Sequence, residues 1–230
     1  MNQTSMLFWY SKVKDLPIPQ PRTVFSLLTD KELKSAYNES VPDSLTEKVK
    51  IICDTMGYPI FLRTDLASAK HSWNKSCFYD GKTELWKHLY EVISFNLCAD
   101  QDFKAIAVRE YVPMDSRFTA FYGDMPVNPE RRYFVKDGTV LCHHPYWIEE
   151  AIEQSKTPSL TNWRELVKEL NTETEDEIKL LTSYAELVAK QLDGYWSVDF
   201  CKAKDGRWIL IDLADGEQSW HPKHGEVLGV

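Results

Sequence analysis

No stretch of the sequence approaches the roughly 18 consecutive apolar residues that a membrane-spanning helix needs. The first residues contain no basic segment leading into a long apolar run, the mark of a secretory signal. No Cys-x-x-Cys pair occurs, and the cysteines are an odd, scattered set: Cys53, Cys77, Cys98, Cys142 and Cys201. That pattern argues against a disulfide framework and points to a reduced, cytoplasmic protein without a membrane partner. Positive charge is scarce, with 27 Lys and Arg against 35 Asp and Glu for a net charge of -8. This argues against general nucleic-acid binding, which needs a basic surface, while leaving room for a local basic pocket that takes a small polyphosphate. There is no internal repeat, no low-complexity tract, and no Gly-x-x-x-x-Gly-Lys-Ser/Thr phosphate loop.

What is present is a chain of 230 residues, long enough to bury a core unaided, and rich in large rings: 8 Trp, 11 Tyr and 10 Phe. Residues 1–40 read as a short strand (6–10) and an extended linker through Leu16-Pro17-Ile18-Pro19-Gln20-Pro21. Ser44-Leu45-Thr46-Glu47 has the capping-box pattern. It opens a helix with Leu45, Val49, Ile52 and Met56 on one face and Gly57 as its stop. A strand over 58–64, a helix over 83–95 and a strand over 104–112 follow. A lobe boundary near Pro113 separates residues 41–113 from 114–230. Beyond it, Asp137-Gly138 joins strands 131–136 and 139–143, the strongest short hairpin signal. Helices over 160–170 and 176–192 precede a final hairpin of strands 195–203 and 207–213. This order implies an α+β fold in two lobes.

The final hairpin fixes a pairing. If Asp205-Gly206 is a two-residue turn, Lys204 faces Arg207, Ala203 faces Trp208, Cys201 faces Leu210 and Asp199 faces Asp212; a three-residue loop slips this register by one. Opposed side chains share a face with Cβ atoms about 5 Å apart, so two carboxylates there repel unless something positive intervenes. Apolar neighbours (Trp196, Val198, Phe200, Ile209, Leu210, Ile211) make a shared Mg²⁺ the economical solution. The competing reading is an exposed strand face whose acids pair with Lys or Arg. Asp215, before Gly216, is either a third ligand or part of a turn. Arg63 ends a hydrophobic strand, and Lys70 follows a run of small residues that lets backbone amides approach an anion. The strand ending Arg109-Glu110-Tyr111-Val112 runs into the lobe boundary, where its backbone can meet an adenine edge. Arg132 alternates with Phe134 and, by the same ladder arithmetic, faces His143. A zinc site is a further alternative, from Cys142-His143-His144 and His221-x-x-His224; adjacent His143 and His144 point to opposite faces of a strand and do not easily share an ion.

In order and spacing these pieces resemble the ATP-grasp superfamily, and within it the branch where an arginine replaces the usual first-strand lysine. That branch includes a eukaryotic assembly factor for translation initiation and many phage and bacterial proteins. The resemblance rests on Phe61-Leu62-Arg63 followed by Lys70, on Val108-Arg109-Glu110-Tyr111-Val112, on Glu130-Arg131-Arg132-Tyr133-Phe134-Val135, and on Asp199 before Ile211-Asp212. It implies two lobes with antiparallel sheets enclosing a nucleotide cleft, with ATP and Mg²⁺ as cofactors. Arg63 and Lys70 would contact phosphates, and Arg109, Glu110, Tyr111 and Val112 would form the adenine hinge. Arg132 would face the phosphates or an acyl-phosphate as the catalytic residue, and Asp199, Asp212 and Asp215 would bind metal. The family's closing acid-x-Asn is absent, since Leu213 and Ala214 follow Asp212, and Asp215 or Gln218 would substitute. The activity implied is an ATP-dependent carboxylate–amine ligase acting through an acyl-phosphate. The alternative is a nucleotide-binding assembly or regulatory protein without turnover. Partners are then a nucleotide and either a carboxylate and amine substrate or a protein.

Overall fold

The computed structural model describes residues 3–38, 40–99, 102–153, 157–221 and 228–229. The chain forms two compact units, one of Pro21–Val112 and one of Met1–Gln20 together with Pro113–Val230.

The first element corrects the sequence reading: Met6–Val13 is a helix, α1, where a strand was expected over 6–10. The run Met6-Leu7-Phe8-Trp9-Tyr10 is apolar throughout, so periodicity alone cannot separate helix from strand. The helix is settled by burial of Met6, Trp9 and Val13 at helical spacing and by Ser5, whose hydroxyl accepts the Leu7 N–H at 3.2 Å. Two tight turns follow, and the Pro19 carbonyl then accepts the Leu210 N–H at 2.8 Å, which ties this segment to the larger unit.

The smaller unit contains β1 (Thr23–Leu27), α2 (Asp30–Tyr37), α3 (Asp43–Met56), β2 (Ile60–Thr64), β3 (Phe78–Tyr79), α4 (Leu85–Cys98) and β4 (Ala105–Glu110). Its antiparallel sheet has the order β1-β4-β2-β3. Ile60, Leu62, Ile106 and Val108 turn one face onto Leu45, Val49 and Cys53 of α3 and Leu89 and Ile93 of α4. The capping box lies at Thr29 and Glu32 of α2, while α3 starts after Pro42 with no side-chain cap. Ser44 instead donates to Glu32 at 2.8 Å, and Lys48 bridges the same carboxylate at 2.7 Å. Burial works against that charge, but Lys48, the Thr29 backbone and Ser44 outweigh it and hold the Glu32 carboxyl down at about 2. Gly57, at φ +85°, closes α3 with its N–H on the Cys53 carbonyl.

The larger unit continues with β5 (Phe118–Ala120), β6 (Met125–Val127), β7 (Glu130–Lys136), β8 (Thr139–Pro145), α5 (Glu149–Glu153), α6 (Trp163–Leu170), α7 (Glu175–Ala189), β9 (Tyr195–Lys202), β10 (Trp208–Asp215) and β11 (Leu228–Gly229). Strands β5 and β6 pair alone, and the remaining five form an antiparallel sheet in the order β10-β9-β7-β8-β11. Helix α7, opened by a capping box at Thr174 and Glu177, packs across β7, β8 and β9. On that face the Tyr133 hydroxyl donates to the Ile178 carbonyl, and Tyr184 meets the Phe200 ring. Among the described residues no helix is long and apolar enough to cross a membrane.

Two registers differ from simple hairpin arithmetic. After the Asp137-Gly138 turn, Lys136 faces Thr139 and Val135 faces Val140, but the ladder then skips Leu141. Phe134 therefore faces Cys142, and Arg132 faces His144 instead of His143. At the last hairpin the loop holds three residues, Lys204-Asp205-Gly206, with Gly206 at φ +90° and Ala203 paired to Arg207. That slips the register by one, so Trp208 faces Lys202, Ile209 faces Cys201 and Leu210 faces Phe200. A bulge between Leu210 and Asp212 takes up the slip, and Asp212 faces Asp199.

Candidate nucleotide and metal site

Strand parity puts one row of side chains across the face of the five-stranded sheet opposite α7. In order across the strands it reads His144 on β8, Arg132 on β7, Asp199 on β9 and Asp212 on β10, each directly opposed to the next. Arg132 grips Asp199 bidentately, its Nε donating to Oδ1 at 2.8 Å and its Nη2 to Oδ2 at 2.7 Å. Both side chains are buried. Burial favours the neutral guanidine, but the Asp199 carboxylate outweighs it and binds the proton of Arg132 more firmly than an exposed arginine would. The guanidinium also lies 4.7 Å over the Tyr146 ring. Asp212 is half-buried and accepts the Leu213 N–H at 3.1 Å.

Asp215 does not join this row. Three positions along a regular stretch of β10, it belongs to the face opposite Asp212. Its carboxylate caps a turn, accepting the Glu217 N–H at 3.0 Å. The turn is sterically fixed at Gly216, where a Cβ would stand 2.6 Å from the Tyr195 ring. Among the described residues no group of three His, Cys, Asp or Glu side chains could hold a metal ion. The opposed pair Asp199 and Asp212 remains suited to a hard cation that takes one or two carboxylates and completes its shell with water and phosphate oxygens, as Mg²⁺ does.

The His144 end of the row is packed by Trp220 and His221, a segment that the sequence leaves between lining a cleft mouth and packing the C-terminus. Trp220 packs edge-on against His144, and His221 lies over Phe134 with its Nε2 3.3 Å from the Cys142 thiol. Cys142, His144 and His221 thus share a neighbourhood, while His143 stacks on Tyr133 on the other face; His224 lies outside the described residues. His144 donates Nδ1–H to the Pro145 carbonyl at 2.8 Å. Burial, with the nearby charge of Arg132, pushes its imidazole below the ordinary histidine range, so it is neutral at pH 7. The signal in the sequence was the ring content of Ser219-Trp220-His221, but nothing local says which surface such a segment covers.

In the smaller unit the sheet face opposite the helices carries Arg63 and Arg109. Arg63 faces Ala107 and Phe61 faces Arg109, so the two arginines are diagonal neighbours on one face. Both are buried. Arg63 donates to the Thr64 and Leu66 carbonyls at 3.1 and 3.2 Å, and Arg109 to the Thr23 hydroxyl at 3.3 Å. Arg109 therefore sits within β4, before the segment that leaves the strand. Glu110 is tied to Arg22, just before β1: its N–H donates to the Arg22 carbonyl at 2.8 Å and its carboxylate accepts the Arg22 N–H at 3.3 Å. Tyr111 meets the edge of Phe78 at 5.0 Å, and Phe78, Trp73 and Phe61 continue a half-buried aromatic cluster beside Arg109. Val112 ends the unit. Lys70 opens a 3-10 turn, Lys70–Ser72, after Ala69 at φ +50°.

The family model for the ATP-grasp domain, R2-K clade family 3, matches residues 54–228. No curated protein matches the sequence. Among solved structures, Cdc123 from Schizosaccharomyces pombe is similar at 15% identity with a TM-score of 0.59, covering 93% of this chain and 83% of that one. Its C-terminally truncated form gives a TM-score of 0.60 at the same identity and coverage. The ADP complex of purK, an N5-carboxyaminoimidazole ribonucleotide synthetase, is similar at 11% identity with a TM-score of 0.53, covering 92% of this chain and 44% of that one. At such identities these likenesses speak for the fold.

Proposed function

The chain belongs to the R2-K clade of ATP-grasp domains, and from that membership we propose that it binds Mg·ATP and acts as an ATP-dependent carboxylate–amine ligase. The observation that carries this reading is the row of buried Arg132 and Asp199 with half-buried Asp212, a phosphate-matching fork beside two opposed carboxylates. In the reaction a carboxylate oxygen of the substrate takes the γ-phosphoryl group and ADP leaves. An amine then attacks the acyl-phosphate carbon, phosphate departs, and the amine gives up a proton as the amide forms. Arg109 would supply a planar fork for phosphate oxygens and Lys70 a mobile point charge, and Arg63, held by the Thr64 and Leu66 carbonyls, would add its charge there. Arg132 offsets the charge that develops on the transferred group. Asp199 and Asp212 are the residues that would hold Mg²⁺, which neutralises charge on the β- and γ-phosphates when bound.

Calorimetric titration of Mg·ATP tests the binding half. Asp212→Ala is expected to weaken affinity by about tenfold or more, equal to about 1.4 kcal/mol, and unchanged affinity and stoichiometry would remove Asp212 from the metal site. Release of ADP on mixing the protein with Mg·ATP and panels of amino acids tests the chemical half. One observation favours a second reading, nucleotide binding in support of a protein partner: ligases of the superfamily place an asparagine two residues after the last acid, and this chain has Ala214 there. Tight Mg·ATP binding with no ADP release under any amine, and a protein recovered in an ATP-dependent pull-down, would decide for it.

A further inference from the structure

A cation at Asp199 would compete with Arg132 for the same carboxylate. Both of its oxygens take guanidinium N–H donors, and the pair is buried. A divalent cation arriving by itself would draw the carboxylate away from the guanidinium and leave that charge without its hydrogen-bonded partner in a place water barely reaches, the arrangement that makes half of a buried ion pair so unfavourable. It would also turn the row of Arg132, Asp199 and Asp212 from net negative to net positive. His144, directly opposite Arg132 on the next strand, is an anion in neither of its protonation states and provides no replacement. A polyphosphate changes this balance, because its oxygens match the same fork that Asp199 now fills while also completing the shell of the ion.

We propose that Arg132 exchanges Asp199 for phosphate oxygens when nucleotide arrives, so that Asp199 is released to the metal only together with the nucleotide. The pair thus makes metal binding conditional on nucleotide binding, and this rests on the Mg·ATP reading above. Linkage makes the dependence mutual: whatever factor the nucleotide adds to metal affinity, the metal adds to nucleotide affinity. One rival arrangement is built into the same face. Glu130 lies two residues before Arg132, buried and on the same side of the sheet, and its charge acts on the guanidinium. If Arg132 turned to Glu130, Asp199 would open to a metal with no nucleotide present.

Mn²⁺, a paramagnetic stand-in for Mg²⁺, decides between them. Titrated into the full chain without nucleotide and followed by electron paramagnetic resonance, it is expected to bind Arg132→Met at least about tenfold more tightly than wild type. The double variant Arg132→Met/Asp199→Asn is expected to return to the wild-type value. Arg132→Lys, which keeps a cation in place without the fork, is expected to fall between the two and supplies the comparison if the Met variant does not fold. Equal Mn²⁺ affinity in wild type and both Arg132 variants overturns the exchange, as does a gain that survives loss of Asp199. AMPPNP with Mn²⁺ failing to raise the wild-type melting temperature removes the nucleotide reading and the exchange together. A raised melting temperature with equal Mn²⁺ affinities removes the exchange alone.

Discussion

Arg131 and Arg132 are neighbours in the chain and opposites in the sheet. Arg131 points to the α7 face, where it donates to the Leu170 and Thr172 carbonyls at 3.0 and 2.9 Å and pairs with Glu173 at 3.0 Å. Arg132 points the other way, onto Asp199. Both are buried, at 1% and 9% exposure, so burial does not separate them. Their partners do. Arg131 stitches the end of α6 to the sheet through backbone carbonyls that no ligand can displace. Its environment weakens its hold on its proton through burial, against which Glu173 works. Arg132 has a carboxylate partner that a cation can take and a phosphate can replace. An arginine that holds the fold together and one poised for chemistry can therefore share a strand, a depth and a residue type, and differ only in what would have to leave for a ligand to enter.

The contrast can be broken in three ways. Arg131→Met leaves Glu173 buried without its cation and should lower unfolding free energy by about 3–5 kcal/mol, read by denaturant unfolding, and adding Mg²⁺ should restore none of it. Arg132→Met leaves Asp199 beside Asp212 and should cost about 2–4 kcal/mol in chelator, but here Mg²⁺ or Mn²⁺ should recover a large part, since the ion replaces the lost guanidinium. If metal rescues both variants or neither, the two faces do not differ in the way described. Thr174→Ala removes the hydroxyl that accepts the Glu177 N–H at 3.2 Å at the start of α7. It should destabilise by about 1 kcal/mol and leave Mn²⁺ affinity per folded molecule unchanged, because α7 supports only the Arg131 face.

How legible all this was depends on where the deciding contact lies along the chain. The Asp137-Gly138 turn and the stop at Gly57 are local, and both stand where the sequence places them. The sequence of Met6–Val13 suits a strand as well as a helix because a short apolar run has no period of its own, and the choice is made by the burial of Met6, Trp9 and Val13. The spacing at Ser44 fits a capping box, but Ser44 serves Glu32 of the preceding helix, a contact between elements that no local pattern carries. The opposition of Asp199 and Asp212 came out as expected through two departures that cancel, a longer loop and a bulge. The unpaired Leu141, in contrast, was not cancelled, and Arg132 came to face His144. Bulges answer to the twist of the whole sheet, so registers counted from a turn drift as the strands lengthen.

The bulge beyond Leu210 has an engineering consequence. For a connection of this length, loop and bulge go together: with the turn closed on Asp205-Gly206, Asp212 comes opposite Asp199 only in a ladder without the bulge. If the turn tightened so that Lys204 paired with Arg207 while the bulge stayed, Asp212 would come opposite Phe200, and a carboxylate would replace an apolar side chain against α7. A two-residue turn that replaces Lys204-Asp205-Gly206 keeps Ala203 opposite Arg207 and every later pair, so changes confined to this loop leave the two aspartates opposed, while an insertion or deletion beyond Leu210 acts on the bulge itself.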